Sequence, residues 1–344
     1  MNEQPATAAR IERFPASIDQ LQQALAAQHY IADRSIAVSA FLALKLGRPL
    51  FLEGEAGVGK TEVAKALASA LDAELIRLQC YEGLDVGHAV YEWDYARQLL
   101  EIRLLEAAHA IGQPIADRSI ADRAIESGDI APARAHLFSE AFLVKRPLLR
   151  ALESAEQRPT VLLIDEIDRA DEEFEGYLLE LLSDFQVTIP ELGTIRAATP
   201  PIVILTSNRT REVHDALKRR CLYLWIGYPD FEKELRIIET RLPGASKQLA
   251  EQVTAFVQEL RSVELYKVPG VSETLDWTAA LVALAQDRLD PAVIDETIGI
   301  LLKYQEDVQA VRGARAGEIL SRALARGARQ SGARTPTESR VSGG

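Results

Sequence analysis

One octapeptide restricts this chain more than anything else in it. Gly54-Glu55-Ala56-Gly57-Val58-Gly59-Lys60-Thr61 follows the short apolar run Pro49-Leu50-Phe51-Leu52 and opens a helical stretch from about Lys60 to Leu71. It fits G-x-x-x-x-G-K-[ST] in the strand–loop–helix setting that gives that pattern its meaning. Glycines let backbone N–H groups converge on phosphate oxygens, and the helix N-terminus adds positive potential. Gly54, Glu55, Ala56, Gly57, Val58, Gly59, Lys60 and Thr61 are therefore the expected phosphate-binding residues. Lys60 would reach the β- and γ-phosphates and the Thr61 hydroxyl would ligate Mg²⁺.

Further apolar runs at Ala73 to Cys80, Thr160 to Ile164, Ile202 to Thr206 and Tyr223 to Ile226 read as strands, with helical stretches between them. Strands of this length alternating with helices predict an α/β domain with a mostly parallel sheet. From about Asp230 the strand signals stop. Phe231 to Arg241, Lys247 to Arg261, Leu275 to Ala285 and Val293 to Val311 have helical period, which predicts a second, all-α domain.

Two further strand ends carry polar groups. Val161-Leu162-Leu163-Ile164-Asp165-Glu166 closes on adjacent carboxylates. Asp165 is expected to hold the Mg²⁺ shell, through water, and Glu166 to orient the attacking water or accept its proton. Pro201 to Asn208 ends on Thr206-Ser207-Asn208, and Asn208 is placed to orient the same water. The basic cluster Lys218-Arg219-Arg220-Cys221 allows two readings from spacing: a solvated surface, or an arginine finger that completes a neighbouring subunit's site.

Charge and cysteine narrow the function classes. Lys plus Arg is 39 against 51 Asp plus Glu, a net −12. Residues 312–344 hold seven Arg and two Glu, or +5, which leaves −17 on the rest. An acidic body fits poorly with a nucleic-acid wrapper, whose affinity comes from neutralising phosphates. The two cysteines, Cys80 and Cys221, make neither a disulfide framework nor a CxxC zinc site. No stretch reaches the roughly 18 apolar residues of a membrane span, and the first nine residues lack an apolar leader core. A cytoplasmic protein is the expectation.

Taken together, these motifs resemble those of an AAA+ ATPase: the phosphate loop as Walker A, Leu163-Ile164-Asp165-Glu166 as Walker B, Thr206-Ser207-Asn208 as sensor 1, and Leu217 to Cys221 as the arginine-finger segment. Ile164 to Ala170 is similar to the IDEINRA segment of the MoxR family, and Leu181 to Ile189 to its LLEAMQERQVTI. The stretches Asp184 to Thr194 and Ser207 to Leu224 resemble the CoxD-like subgroup, which is linked to carbon monoxide dehydrogenase maturation. Two departures stand out. Asp168 occupies a usual Asn position, and Gly270 to Leu275 puts Thr274 where the family's GxSPRA segment has its sensor-2 Arg.

The resemblance implies ATP and Mg as cofactors, Arg220 or Arg219 as a finger acting in trans, and assembly into a ring, a hexamer. It implies a chaperone-like remodelling or maturation factor for a protein client, a molybdenum metalloenzyme among the candidates, working with a von Willebrand factor A domain partner. The alternatives are an MCM-like nucleic-acid motor and a weakly hydrolysing nucleotide-gated scaffold. The expected organisation is an arm at 1–20, an AAA+ domain at 21–229, a helical lid at 230–311 and a basic tail at 312–344, its end disordered from Gln330. Lys60 and Asp165 are 165 − 60 = 105 residues apart, about twice what the intervening elements require. The excess predicts an insert at about 86–137. There Tyr91, Trp93 and Tyr95 alternate with acidic residues and would pair with Leu100-Ile102-Leu104 as a hairpin, followed by a helical extension from Ala116 to Ala133. A second hairpin is expected at about 187–197.

Overall fold

The computed structural model describes residues 14–111, 131–154 and 158–332. These fall into two compact units. The first holds residues up to 22, 34–53 and 64–224; the second holds 23–33, 54–63 and 225 onward.

The described residues begin with helices α1 (Ile18–Ala27) and α2 (Arg34–Leu46), then β1 (Leu50–Gly54), α3 (Lys60–Ala70) and β2 (Glu74–Gln79). Next come α4 (Val86–Ala89), β3 (Tyr91–Trp93), α5 (Tyr95–Ile111), α6 (Ala131–Leu137), β4 (Leu143–Lys145) and α7 (Pro147–Ser154). The strand β5 (Thr160–Asp165) is followed by α8 (Glu172–Asp184), β6 (Gln186–Ile189), β7 (Gly193–Arg196), β8 (Ile202–Ser207), α9 (Asp215–Arg220) and β9 (Leu222–Ile226). Helices then take over: α10 (Phe231–Arg241), α11 (Lys247–Leu260), α12 (Val271–Ala283), α13 (Pro291–Leu301), α14 (Gln305–Val311) and α15 (Ala314–Gly332).

The main sheet has five strands in the order β2-β5-β8-β1-β9, with β2, β5, β8 and β1 paired in parallel. Every residue of β1, β5 and β8 is buried. That is the signature of parallel strands covered on both faces, and it explains why they read as unbroken apolar runs. At the edge, β2 alternates instead. Ile76 and Leu78 enter the core, while Arg77 is exposed and Gln79 half-buried. Register sets Arg77 beside Leu163 and Gln79 beside Asp165. Gly54 ends β1 where a Cβ would come within 2.0 Å of the Ile226 carbonyl oxygen, so the close passage of β9 requires glycine.

The hairpin expected near 187–197 is present as β6 and β7, paired antiparallel from Gln186–Arg196 to Ile189–Gly193. The one expected at Tyr91 to Leu104 is not. β3 pairs instead with β4, fifty residues on, and Tyr95 to Ile111 is helical. The Asp94 carboxylate accepts the Arg97 N–H at 2.9 Å, an N-cap bond, and good helix formers follow. Tyr91 and Trp93 therefore share a face of β3, their rings 6.4 Å apart, and Tyr95 does not join them. Trp93 is buried edge-on against Phe138 at 5.1 Å, whereas Tyr95 is exposed on the first turn of α5. Most of the expected extension from Ala116 to Ala133, the first 13 residues of the arm and the last 12 of the tail lie outside the described residues.

The second unit has its own core, built on Phe256, Trp277, Ile294, Ile298 and neighbours. The Trp277 indole N–H donates to Thr297 Oγ1 at 2.8 Å. The expected boundary at 311 runs through this core. Ala316, Ile319 and Leu320 of α15 are buried in it, and Arg322 and Arg326 of the same helix pair with buried Glu259. A basic composition suggested a tail, but its apolar residues at helical spacing make the first part a packed helix.

Candidate nucleotide site

The phosphate loop belongs to the second unit. Gly57 and Gly59 take φ of +76° and +93°, the left-handed region that favours glycine. The buried Lys60 ammonium donates to the carbonyls of Gly54 at 2.8 Å and Glu55 at 2.7 Å, which holds the loop around its own lysine. Thr61 follows on the first turn of α3 and is half-buried. Glu55 and Ala56 are exposed, and Val58 is buried beneath the loop.

The start of α12 closes on this loop. Gly57 O accepts N–H groups from Val271 at 2.8 Å and Ser272 at 3.4 Å. A Cβ on Gly57 would meet Glu273 Oε2 at 2.8 Å and Gly270 Cα at 3.0 Å. One on Gly270 would meet Gly57 Cα at 2.7 Å. The segment that departs from the sensor-2 pattern is thus in backbone contact with the loop. Thr274 itself is turned away and fully buried. Its hydroxyl lies 2.9 Å from Glu234 Oε1 and 3.0 Å from the Gly270 carbonyl and has one proton to share between these two acceptors. Buried Glu234 also takes a two-pronged bond from Arg261, at 2.7 Å on each oxygen, and one from Gln258 at 2.7 Å.

In the first unit, β5 delivers two carboxylates into different surroundings. Asp165 is buried. Its Oδ1 accepts the Thr206 hydroxyl, and its Oδ2 accepts Arg77 Nε at 3.0 Å and Nη2 at 2.6 Å. Glu166 is half-buried at φ +56°, a strained conformation for a residue with a side chain. Its N–H donates to Thr206 Oγ1 at 3.0 Å. Its carboxylate is held by Gln79 Nε2 at 3.0 Å, Asn208 Nδ2 at 3.3 Å and the Arg169 guanidinium at 3.3 Å. The structure therefore brings Glu166 and Asn208 together, as the adjacency of β5 and β8 dictates.

Asp168 fixes the loop that carries Asn208. It accepts the Asn208 N–H at 3.1 Å, the Thr210 N–H at 2.9 Å and the Thr210 hydroxyl at 2.7 Å. Burial raises its carboxyl, but these bonds outweigh burial and hold it below the usual carboxylate range. Farther out, buried Glu175 accepts the His214 N–H at 2.7 Å and pairs with Arg211. Cys80 follows β2, and burial together with the negative field of Asp165 and its neighbours pushes the thiol up to about 12.

Arg219 and Arg220 are exposed at the end of α9. Arg220 Nε donates to Ser183 Oγ at 2.9 Å, and among the described residues no hydrogen bond joins either arginine to Glu166. Their helix is tied to the strand that launches the phosphate loop. Arg48 Nη2 donates to the Arg219 carbonyl at 2.8 Å, and Lys218 lies 3.7 Å from buried Glu53, which also accepts the Tyr223 hydroxyl at 2.8 Å.

Arg77 and Gln79 were not singled out from the sequence. The available signal was Arg77 and Gln79 flanking Leu78, two apart in the strand and so on one face.

Residues 49–221 match the family described as AAA domain (dynein-related subfamily). An uncharacterized protein of Staphylococcus haemolyticus is 24% identical over 298 residues, spanning 83% of this chain and 97% of that one. One from Staphylococcus aureus strain USA300 is 25% identical over 304 residues, spanning 84% and 98%. Among solved structures, the Thermotoga maritima RuvB Holliday junction branch migration motor aligns at 17% identity over 84% of this chain and 73% of that one, with a TM-score of 0.39. A point mutant of the same RuvB aligns at 17% over 83% and 73%, with a TM-score of 0.41.

Proposed function

The chain belongs to the AAA domain family, in its dynein-related subfamily, and from that premise we propose that it hydrolyses ATP with Mg²⁺ and uses the cycle to remodel a protein client. The observation that carries this reading is Glu166: a carboxylate on a left-handed backbone at the end of β5, held between Gln79 and Asn208 and next to a buried Asp165.

The loop residues fit a triphosphate. Left-handed Gly57 and Gly59 allow the turn on which backbone N–H groups can converge on phosphate oxygens, and Lys60 holds two carbonyls that phosphate oxygens, as anions, would replace. For the metal, the resemblance assigns the Thr61 hydroxyl and, through water, the Asp165 carboxylate, oxygen groups of the kind Mg²⁺ selects. Bound there, Mg²⁺ would neutralise charge developing between the β- and γ-phosphates. Glu166 supplies the general base and Asn208 sets its direction, while Asp168 holds the Asn208 backbone in place. Arg220, with Arg219 beside it, faces outward and acts on the neighbouring subunit's nucleotide, so a ring completes the site.

The finer assignment follows the resemblance of Ile164 to Ala170 and Leu181 to Ile189 to the MoxR family. It gives a hexameric cytoplasmic chaperone with a von Willebrand factor A domain partner and a molybdenum metalloenzyme client. No helix among the described residues is long and apolar enough to cross a membrane. The −17 charge of the body speaks against a nucleic-acid motor.

The test is a pair of variants. Glu166→Gln keeps ATP binding and loses about 10²–10⁴-fold in turnover, the usual contribution of a general base. Lys60→Ala loses binding itself. A Glu166→Gln protein that turns over near the wild-type rate refutes the assignment and favours the scaffold reading.

A further inference from the structure

Asp165 already has a cation. Arg77 reaches it from the edge strand β2 and places both Nε and Nη2 on a single oxygen, Oδ2, at 3.0 and 2.6 Å. A carboxylate oxygen offers two lone-pair sites, so Oδ2 is saturated. The pair is lopsided in exposure: Asp165 is 2% exposed and Arg77 49%. A buried negative charge is thus neutralised by a positive one that has an open path to water. The same Nη2 also donates to Gln79 Oε1, and Gln79 Nε2 donates to Glu166 Oε2 at 3.0 Å. Arg77 and Gln79 are two apart on β2 and share a face, while Asp165 and Glu166 are consecutive at the end of β5. One chain of hydrogen bonds therefore runs from Asp165 through Arg77 and Gln79 to Glu166.

Building on the ATPase reading above, we propose that Arg77 is a positioning residue that competes with the divalent ion for Asp165. A guanidinium does not lose its proton in the range where proteins fold, so another cation, and not a pH change, displaces it. A divalent ion near the same carboxylate repels Arg77 and has the larger charge. Once the ion takes that carboxylate, Arg77 swings to solvent through its exposed side.

The experiment reads metal binding directly. ADP-saturated protein is titrated with Mn²⁺ and the free ion is counted by electron paramagnetic resonance. Arg77→Gln removes the charge from a half-exposed edge position and should lower the Mn²⁺ concentration at half-saturation by about three- to tenfold, as expected for one screened unit charge close to the ion. Arg77→Lys keeps the charge and should stay within about twofold of wild type. In the wild-type protein, adding Mg²⁺ to the ADP complex should speed phenylglyoxal modification of Arg77 several-fold, followed on its peptide by mass spectrometry. An unmoved Mn²⁺ midpoint in Arg77→Gln, or equal modification rates with and without Mg²⁺, overturns the proposal. So does weaker Mn²⁺ binding in Arg77→Gln, which would make Arg77 a strut that holds Asp165 for the ion. ADP binding in chelator is measured first. Its absence overturns the ATPase reading, whereas an ADP-binding protein with an unmoved midpoint overturns the role of Arg77 alone.

Discussion

Replacing Asp168 by Asn removes one charge and almost no volume, and the structure sets what that should cost. The buried carboxylate accepts three donors, two from Thr210 and one from the Asn208 backbone. An amide keeps one oxygen acceptor and turns an N–H₂ toward at least one of those donors. Hydrogen bonds to charged groups contribute about 1.5–3 kcal/mol each, and leaving a buried donor unpaired costs a similar amount, so a loss of about 2 kcal/mol is expected. For a unit of 150–250 residues that corresponds to a fall of about 4–8 °C in melting temperature. The difference should depend on pH in one direction. Asp168 titrates below its ordinary range in the folded protein, so its stabilisation is complete above the unfolded carboxyl value of about 3.9 and disappears as pH falls through the folded one. Denaturant unfolding of both proteins at pH 7 and at intervals down to about pH 2 should show the gap closing at the acid end. ATP turnover at pH 7 should fall too, since Asn208 hangs from the same carboxylate. Equal stability at pH 7, or a gap that widens in acid, refutes the reasoning. The Asn found here in the family the motif resembles would then be a true equivalent.

Thr274→Arg tests the departure from the sensor-2 pattern: because Thr274 is fully buried against Glu234, the substitution should overpack the helical unit and destabilise it by about 1–3 kcal/mol without raising nucleotide affinity, as read by thermal melting and nucleotide titration. A stable variant with tighter ATP binding would show that the arginine escapes toward the loop. Arg220→Ala should abolish turnover while each subunit keeps Lys60 and Glu166, and wild-type activity per subunit should rise with protein concentration as rings form. Mixing Arg220→Ala with Glu166→Gln should recover part of the activity through interfaces that combine an intact base with an intact finger, whereas mere dilution would return both arginines to the surface, where such charges contribute about 0–1 kcal/mol.

The sequence by itself determined the parts whose physics is local. The phosphate loop needs glycine at left-handed positions and a lysine at the start of a helix, and all of that lies within eight consecutive residues. The strands β1, β5 and β8 announced themselves because burial on both faces demands unbroken apolar runs, and their polar ends, Asp165-Glu166 and Ser207-Asn208, mark where such strands leave the core. The β6–β7 hairpin is legible from Pro190 to Gly193 because turn residues act locally, with Gly193 at φ +87°. What only the tertiary structure decided depends on register and on partners far along the chain. Alternation from Leu100 to Leu104 has strand period, but the Asp94 cap and the pairing of β3 with β4 make α5 a helix. The apolar residues of α15 look like part of a tail until the second core receives them. Thr274 stands at the family's arginine position, yet the Glu234–Arg261 pair draws it inward. Most of all, Arg77 and Asp165 are 165 − 77 = 88 residues apart. Their meeting follows from β2 lying against β5 in one particular register, and a slip of one residue would send Arg77 to the opposite face.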